Sequence, residues 1–244
     1  LDKNPVVLPN KDSDKSKTEQ VAEMFDNISG KYDLLNRVLS LNIDRGWRKK
    51  VISILKSHNP STILDIATGT ADLSIAEAVL NTKEIIGIDI SEGMLAFGRQ
   101  KVEKLKLSNK IKLITGDSQA IDFPSQSFDA ITVAFGVRNF ENLDMGLSEI
   151  YRVLNKNGIA VILEFSQPEK FPFKQVYNFY FKRILPLLGS MISKDARAYT
   201  YLPESVQSFP YGNDFLLRLK KAGFEKVSAI PLTFGICSIY TAEK

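Results

Sequence analysis

Among 244 residues there is one cysteine, one histidine and one tryptophan. Cys237 has no second thiol to pair with, so an internal disulfide is excluded, and a reducing cytoplasm is the compartment this predicts. A structural zinc site lacks its ligands, and no metal is expected. His58 lies in the polar run Lys56-Ser57-His58-Asn59-Pro60, which reads as a helix C-terminus rather than part of a catalytic triad or dyad. No apolar run approaches the roughly 18 residues that a membrane span needs. No leader-like apolar stretch followed by a small-residue cleavage site is seen either.

What is present is enough apolar material, 44%, to bury a sizeable core without covalent staples. Residues 1–17 mix Lys3, Lys11, Lys15 and Lys17 with Asp2, Asp12 and Asp14 and predict a mobile tail, leaving 18–244 as one domain. The net charge of +4 suits an anionic partner without identifying one.

From Glu19 to His58 the spacing is helical. Val21, Ala22, Phe25 and Ile28 share a face, Ser29-Gly30 predicts a break, and Leu34, Leu35, Val38 and Leu39 resume the pattern. Asp44 is placed to cap a third helix bearing Trp47, Val51, Ile54 and Leu55. The segment 18–58 therefore predicts an N-terminal helical cap. Beyond Pro60 short apolar runs alternate with amphipathic segments. Strands are expected at Thr62 to Ile66, Glu84 to Asp89, Ile111 to Thr115, Phe128 to Ala134 and Gly158 to Phe165, with helices near 71–80, 91–106 and 142–154. That alternation predicts a Rossmann-like, doubly wound α/β fold with a mostly parallel seven-stranded sheet. A long insertion, 166–212, precedes a helix near Asp214 to Ala222. Strands near Val227 to Ile230 and Gly235 to Thr241 lie too close together for a parallel crossover and predict a C-terminal antiparallel hairpin.

Chemistry gathers at the carboxyl ends of the first strands. Asp65-Ile66-Ala67-Thr68-Gly69-Thr70-Ala71-Asp72 is a small-residue turn that lets a ligand approach the backbone closely. Asp89 ends the second strand, where a carboxylate can take both hydroxyls of a ribose, and Gly116-Asp117-Ser118 ends the third, facing an adenine edge. Three polar groups on three neighbouring strand ends predict a nucleoside-bearing cofactor. The turn has one glycine rather than the G-x-G-x-x-G of a pyrophosphate site. Asp65 suits the ammonium and sulfonium of S-adenosylmethionine (SAM) and would repel pyrophosphate.

Taken together the motifs resemble the UbiE/MenG quinone C-methyltransferases, a family of SAM-dependent Rossmann-like enzymes. The resemblance runs from about Val21 to Tyr240. It rests on Tyr32-Asp33-Leu34-Leu35-Asn36 with Trp47, Asp65 to Leu73, Phe135-Gly136-Val137-Arg138-Asn139, Leu163-Glu164-Phe165-Ser166 and Tyr199-Thr200-Tyr201-Leu202-Pro203-Glu204-Ser205. It implies cofactor contacts at Thr70, Asp89, Asp117 and Ser118, which join Asp65 and Gly69 of the turn as the candidate cofactor-binding set. Ala71 stands where the family usually has glycine, and Ala134 where serine is common.

The activity implied is methyl transfer from SAM to a ring carbon of a polyprenylated hydroquinone, demethylmenaquinol or the ubiquinol precursor. A phenol of pKa about 10 costs about 4 kcal/mol to ionise at neutral pH. Arg138 is the candidate to hold the phenolate, since guanidinium stays charged and cannot act as base. Asp33, Tyr32, Asp117 and a bound water are open choices as proton acceptor, so Arg138, Asp33 and Tyr32 form the candidate catalytic set. Phe171, Phe173, Tyr177, Phe179, Tyr180 and Phe181 crowd together with Lys170, Lys174, Lys182 and Arg183, which suits a prenyl tail or a peripheral contact with the inner face of the cell membrane. A nucleic-acid methyltransferase is favoured only by the basic charge, and no nucleic-acid partner is expected. A non-catalytic SAM-binding subunit of a quinone-biosynthesis complex is the alternative from another class.

Overall fold

The computed structural model describes residues 7–40, 42–179 and 196–244. Helix α1 spans Lys17–Ser40 and α2 Asp44–His58. Then follow β1 Thr62–Ile66, α3 Asp72–Glu77, β2 Glu84–Asp89, α4 Glu92–Lys104, β3 Ile111–Thr115 and β4 Phe128–Ala134. A 3-10 turn at Val137–Asn139 leads to α5 Leu143–Val153 and β5 Leu154–Phe165. The chain continues through α6 Phe173–Phe179, α7 Ala196–Ser208, α8 Asn213–Lys221, β6 Lys226–Leu232 and β7 Cys237–Glu243.

The seven strands lie in the order β3-β2-β1-β4-β5-β7-β6. The first five are mutually parallel, while β7 runs antiparallel to both β5 and β6. The C-terminal hairpin thus inserts its second strand into the sheet and leaves β6 at the edge. β1, β4 and β5 read as nearly unbroken apolar runs because both faces are covered. On one face pack Leu147, Ile150 and Val153 of α5 with Phe215 and Leu219 of α8. On the other pack Trp47, Val51 and Leu55 of α2 with Leu95 and Val102 of α4. The strand order reverses beside β1, so the carboxyl ends of β1 and β4 diverge and open a crevice.

Several local expectations are corrected. Ser29-Gly30 does not break α1, which runs through without interruption. Ser29 returns its hydroxyl to the carbonyl of Asp26, 2.8 Å away, and Gly30 faces the ring of Phe97, so the helix is held by what it lies against. Asp44 is the first helical residue rather than the cap, and its buried carboxylate takes Ser40 Oγ and pairs with Arg48. The third expected cap helix is therefore the second, α2. Helix α3 ends at Glu77, three residues short of its expected end. β5 starts at Leu154, and a bulge at Asn155-Lys156-Asn157-Gly158 shifts its register on β4. Within the long insertion the described residues form α6 and α7, while 180–195, including Tyr180, Phe181, Lys182 and Arg183, lie outside the described residues. Lys17, expected in the tail, is helical and buried. His58 does end its helix, with Nδ1 3.0 Å from the carbonyl oxygen of Ile54.

Candidate active site

The turn after β1 is built by alternate left-handed residues: Ala67 has φ 53°, Gly69 56° and Ala71 65°. Such a winding lets the chain reverse within four residues and lie flat on the end of β2, where Thr68 N–H donates to the carbonyl of Ile88 at 3.0 Å. Gly87 in β2 accommodates it, since a Cβ there would stand 2.9 Å from the Thr68 side chain and 2.6 Å from Leu113. Ala71, the departure from the family pattern, is fully buried and fits because α4 presents Gly98 opposite it.

Asp89 is the pivot of the site. Its Oδ2 accepts the Gly69 N–H at 2.8 Å and its Oδ1 the Ser91 N–H at 2.9 Å, so the turn and the start of α4 both hang from one carboxylate. Burial, opposed by those backbone N–H groups, raises its pKa from 3.8 to about 6. The Gly69 N–H is thereby committed to Asp89.

Helix α1 lies over this crevice and is pinned along its length. Lys17 Nζ donates to the carbonyls of Arg138 and Phe140 at 3.2 and 2.9 Å, and burial lowers its pKa to about 8. Thr18 donates its N–H and hydroxyl to Glu141. Asp26 Oδ1 accepts from Ser91 Oγ at 2.6 Å and Gly93 N–H at 2.9 Å. Asp33 accepts from Thr70 Oγ1 at 2.6 Å and Lys101 Nζ at 2.9 Å.

The crevice between α1 and the strand ends is lined by Tyr32, Gly69, Asp89, Asp117 and Ser118 among the expected site residues. Ile66, Ile90 and Met94 form its apolar floor, and Ala134 and Phe135 border it from β4. Asp33, Asp65, Thr70 and Arg138 do not line it. Asp65 is buried beneath the turn, where Oδ2 accepts from Thr68 Oγ1 at 2.7 Å and Ser74 Oγ at 2.6 Å. Thr70 turns its hydroxyl to Asp33. Tyr32 packs edge-on to Phe25, and desolvation raises its pKa, so it is a neutral phenol at physiological pH.

Arg138 stands behind Phe135. Its guanidinium is 7% exposed, pairs with Glu164 Oε1 at 2.8 Å, donates to the Phe135 carbonyl and lies 5.5 Å over the Phe165 ring. Its buried Nε–H has no partner among the described residues. Glu164 is fully buried; desolvation raises its pKa against the pull of Arg138. Sequence reasoning quoted Glu164 inside a motif without giving it a role. The visible signal was a carboxylate within an apolar strand. Lys17 and Asp26 were missed because their partners are over 60 residues away.

Among the described residues the lining carries the acids Asp89, Asp117 and Glu141 and no lysine, arginine or histidine. That donor set fits a cationic nucleoside and disfavours a pyrophosphate. The glycine turn, the Asp89 carboxylate and the apolar floor of Ile66, Ile90 and Met94 lie together in this one crevice. Together with the parallel sheet and its antiparallel last strand, these features define a SAM-dependent methyltransferase.

Solved structures agree at the level of the fold. A SAM-dependent methyltransferase from Aquifex aeolicus matches with a TM-score of 0.55 at 21% identity, covering 78% of this chain and 87% of that one. One from Thermotoga maritima matches with a TM-score of 0.61 at 16% identity, covering 90% and 98%. The ubiE/COQ5 methyltransferase family model matches residues 13–244, and the chain belongs to that family. It is 50% identical over 233 residues to the demethylmenaquinone methyltransferase of Bacteroides fragilis, covering 95% of each chain. It is 43% identical to the ubiquinone/menaquinone biosynthesis C-methyltransferase UbiE of Geobacter sulfurreducens, covering 93% of this chain and 90% of that one.

Proposed function

We propose that this enzyme methylates a ring carbon of a polyprenylated hydroquinone, converting demethylmenaquinol to menaquinol, with the ubiquinol precursor as a related substrate. The observation that carries the reading is an acidic crevice, without a basic side chain among the described residues that line it, with a buried guanidinium, Arg138, directly behind its β4 wall. Full-length similarity to relatives named for this reaction supports it.

SAM supplies an electrophilic methyl group on a sulfonium. Asp89 would take the ribose hydroxyls, Gly69 would admit the chain beside them, Asp117 and Ser118 would meet the adenine edge, and Asp65 and Thr70 support the turn from below. The ring nucleophile would arise when one hydroquinone hydroxyl gives its proton to Asp117 or a bound water at the crevice. With SAM supplying the methyl group and its sulfur leaving as a neutral thioether, the ring carbon would be methylated. The ring C–H proton would pass to the phenolate oxygen, so that one proton in all is released to solvent. Arg138, behind Phe135 and out of contact with the crevice, offsets part of the cost of the phenolate through its positive charge in a low-dielectric wall. Glu164 fixes that guanidinium and lowers the net charge it brings into an apolar site. Tyr32, as a neutral phenol, donates a hydrogen bond to the substrate, and Asp33 acts by holding α1 closed over Thr70. The apolar floor and closed cap exclude water, which favours annihilation of an anion with a sulfonium.

The prenyl tail leads toward a membrane surface. Phe171, Val176, Phe179 and Phe234 are exposed, and Phe173 stacks on Phe234 at 3.8 Å. Lys170 and Lys174 flank them, as suits a peripheral contact at the cytoplasmic face. Among the described residues no helix is long and apolar enough to cross a membrane.

The test is an assay on chemically reduced and oxidised demethylmenaquinone with SAM. The reduced form is converted to the ring-methylated product and the oxidised form is inert. Equal rates on both would overturn the mechanism, and no conversion of either would overturn the substrate.

A further inference from the structure

Beneath the cofactor turn two carboxylates share one hydroxyl. Thr132 Oγ1, in β4, lies 3.2 Å from Asp65 Oδ1 and 2.8 Å from Glu77 Oε1. Asp65 is 1% exposed, and Thr132 and Glu77 are fully buried. A threonine hydroxyl carries a single proton, so it can donate to only one of two ionised carboxylates, and the other contact would set lone pair against charge. The arrangement closes only if one carboxyl supplies a proton of its own.

Which carboxyl holds it follows from the partners. Asp65 is approached by three hydroxyls, those of Thr68, Ser74 and Thr132. Glu77 has Thr132 alone, and its Oε2 has no partner among the described residues. A carboxylate charge at zero exposure with half its oxygens unpaired is far more costly than a neutral acid leaving one carbonyl oxygen bare.

We propose that Glu77 is a permanently protonated positioning residue, donating to Thr132, which in turn donates to Asp65, so that Asp65 is the one charged carboxylate of the pair. This rests on the turn above Asp65 being the cofactor site. The chain Glu77–Thr132–Asp65 joins α3, β4 and β1, the three elements that meet under that turn. The charged group facing Glu77 is Asp65, and Asp65 also acts on Asp89 across the turn. Desolvation and the Asp65 charge both favour the neutral form of Glu77. Keeping Glu77 uncharged confines the buried negative charge to one group, which leaves Asp89 free to ionise near neutral pH and take the ribose diol.

The proposal is tested by counting protons. Between about pH 6 and 8 an unfolded glutamic acid is ionised, so calorimetric unfolding in buffers of different ionisation enthalpy should release about one more proton from the wild-type enzyme than from Glu77→Gln. The melting temperature of Glu77→Gln should gain on the wild type as pH rises through this range. A second measurement needs no variant. Wild-type enzyme labelled with 13C at glutamate side-chain carboxyls should show one resonance at the protonated position, unmoved from about pH 5.5 to 8.5. Asp65→Asn should retain it. Equal proton release from wild type and Glu77→Gln, or no protonated glutamate resonance, overturns the proposal. Failure of SAM to bind the wild-type enzyme in calorimetry would instead overturn the reading of the site, leaving the proton count to stand or fall by itself.

Discussion

Replacing Asp89 with asparagine separates the site's two demands on that carboxylate. Oδ1 and Oδ2 each accept a backbone N–H, from Ser91 at 2.9 Å and from Gly69 at 2.8 Å. Asparagine has one acceptor oxygen, so in either orientation its NH2 meets a backbone N–H head on. It also lacks the charge that two ribose hydroxyls would address. Two charge-assisted hydrogen bonds weakened by roughly 1–1.5 kcal/mol each predict a SAM affinity about 30–150-fold lower for Asp89→Asn at pH 7.

The pH dependence is a sharper signature. The Asp89 pKa of about 6 means the free enzyme must lose a proton to bind, so wild-type affinity for SAM should fall by about tenfold from pH 7 to pH 5. The variant should stay flat across that window. Stability moves the other way. The folded pKa lies above the unfolded one, so the native state holds the extra proton, and the contribution of Asp89 is lost as pH rises from about 4 through about 6. The loss is about 3 kcal/mol, a rise from 3.8 to about 6 at about 1.4 kcal/mol per pH unit. Asp89→Asn should therefore compare better with the wild type at pH 7 than at pH 4 in thermal unfolding. Isothermal calorimetry with the demethylated product, S-adenosylhomocysteine, avoids turnover. A wild-type affinity that is level from pH 7 to 5, or a variant that titrates in parallel, would refute the reasoning.

Arg138→Ala should cut turnover by roughly 10²–10³ while leaving SAM affinity little changed, and rate should return as pH approaches the phenol's own pKa of about 10. The same substitution strands Glu164, fully buried, and should cost about 3–5 kcal/mol in denaturant unfolding; adding Glu164→Gln should restore stability but not turnover. Loss of SAM binding in step with activity would make Arg138 a structural clamp. Replacing Phe171 and Phe179 with serine should weaken sedimentation with anionic vesicles, and high salt should weaken it in the wild type. Equal partitioning onto neutral vesicles would remove the part assigned to Lys170 and Lys174.

Residue order alone determined the strands and the crevice at their ends. β1 to β4 were legible to the residue because buried parallel strands are short apolar runs bounded by turns, and Gly69, Asp89, Asp117 and Ser118 stand at their carboxyl ends wherever the helices go. The Ser29-Gly30 break was misread because local propensity is weak against a helix face that buries Val21, Met24 and Ile28. Asp44 was misread for a similar reason, since its ion pair with Arg48 becomes visible only once the helix starts one residue earlier than a cap would allow. Tertiary structure alone decided the charge pairing. Arg138 meets Glu164 because β4 and β5 are adjacent and parallel, and Glu77 meets Asp65 through Thr132 because β1 and β4 pair in register at Asp65 and Thr132. Contacts between residues far apart in the chain leave no periodic trace in it, and the protonation of a buried acid depends on those contacts. Sequence therefore located the crevice, and packing determined which of its acids and bases carry charge.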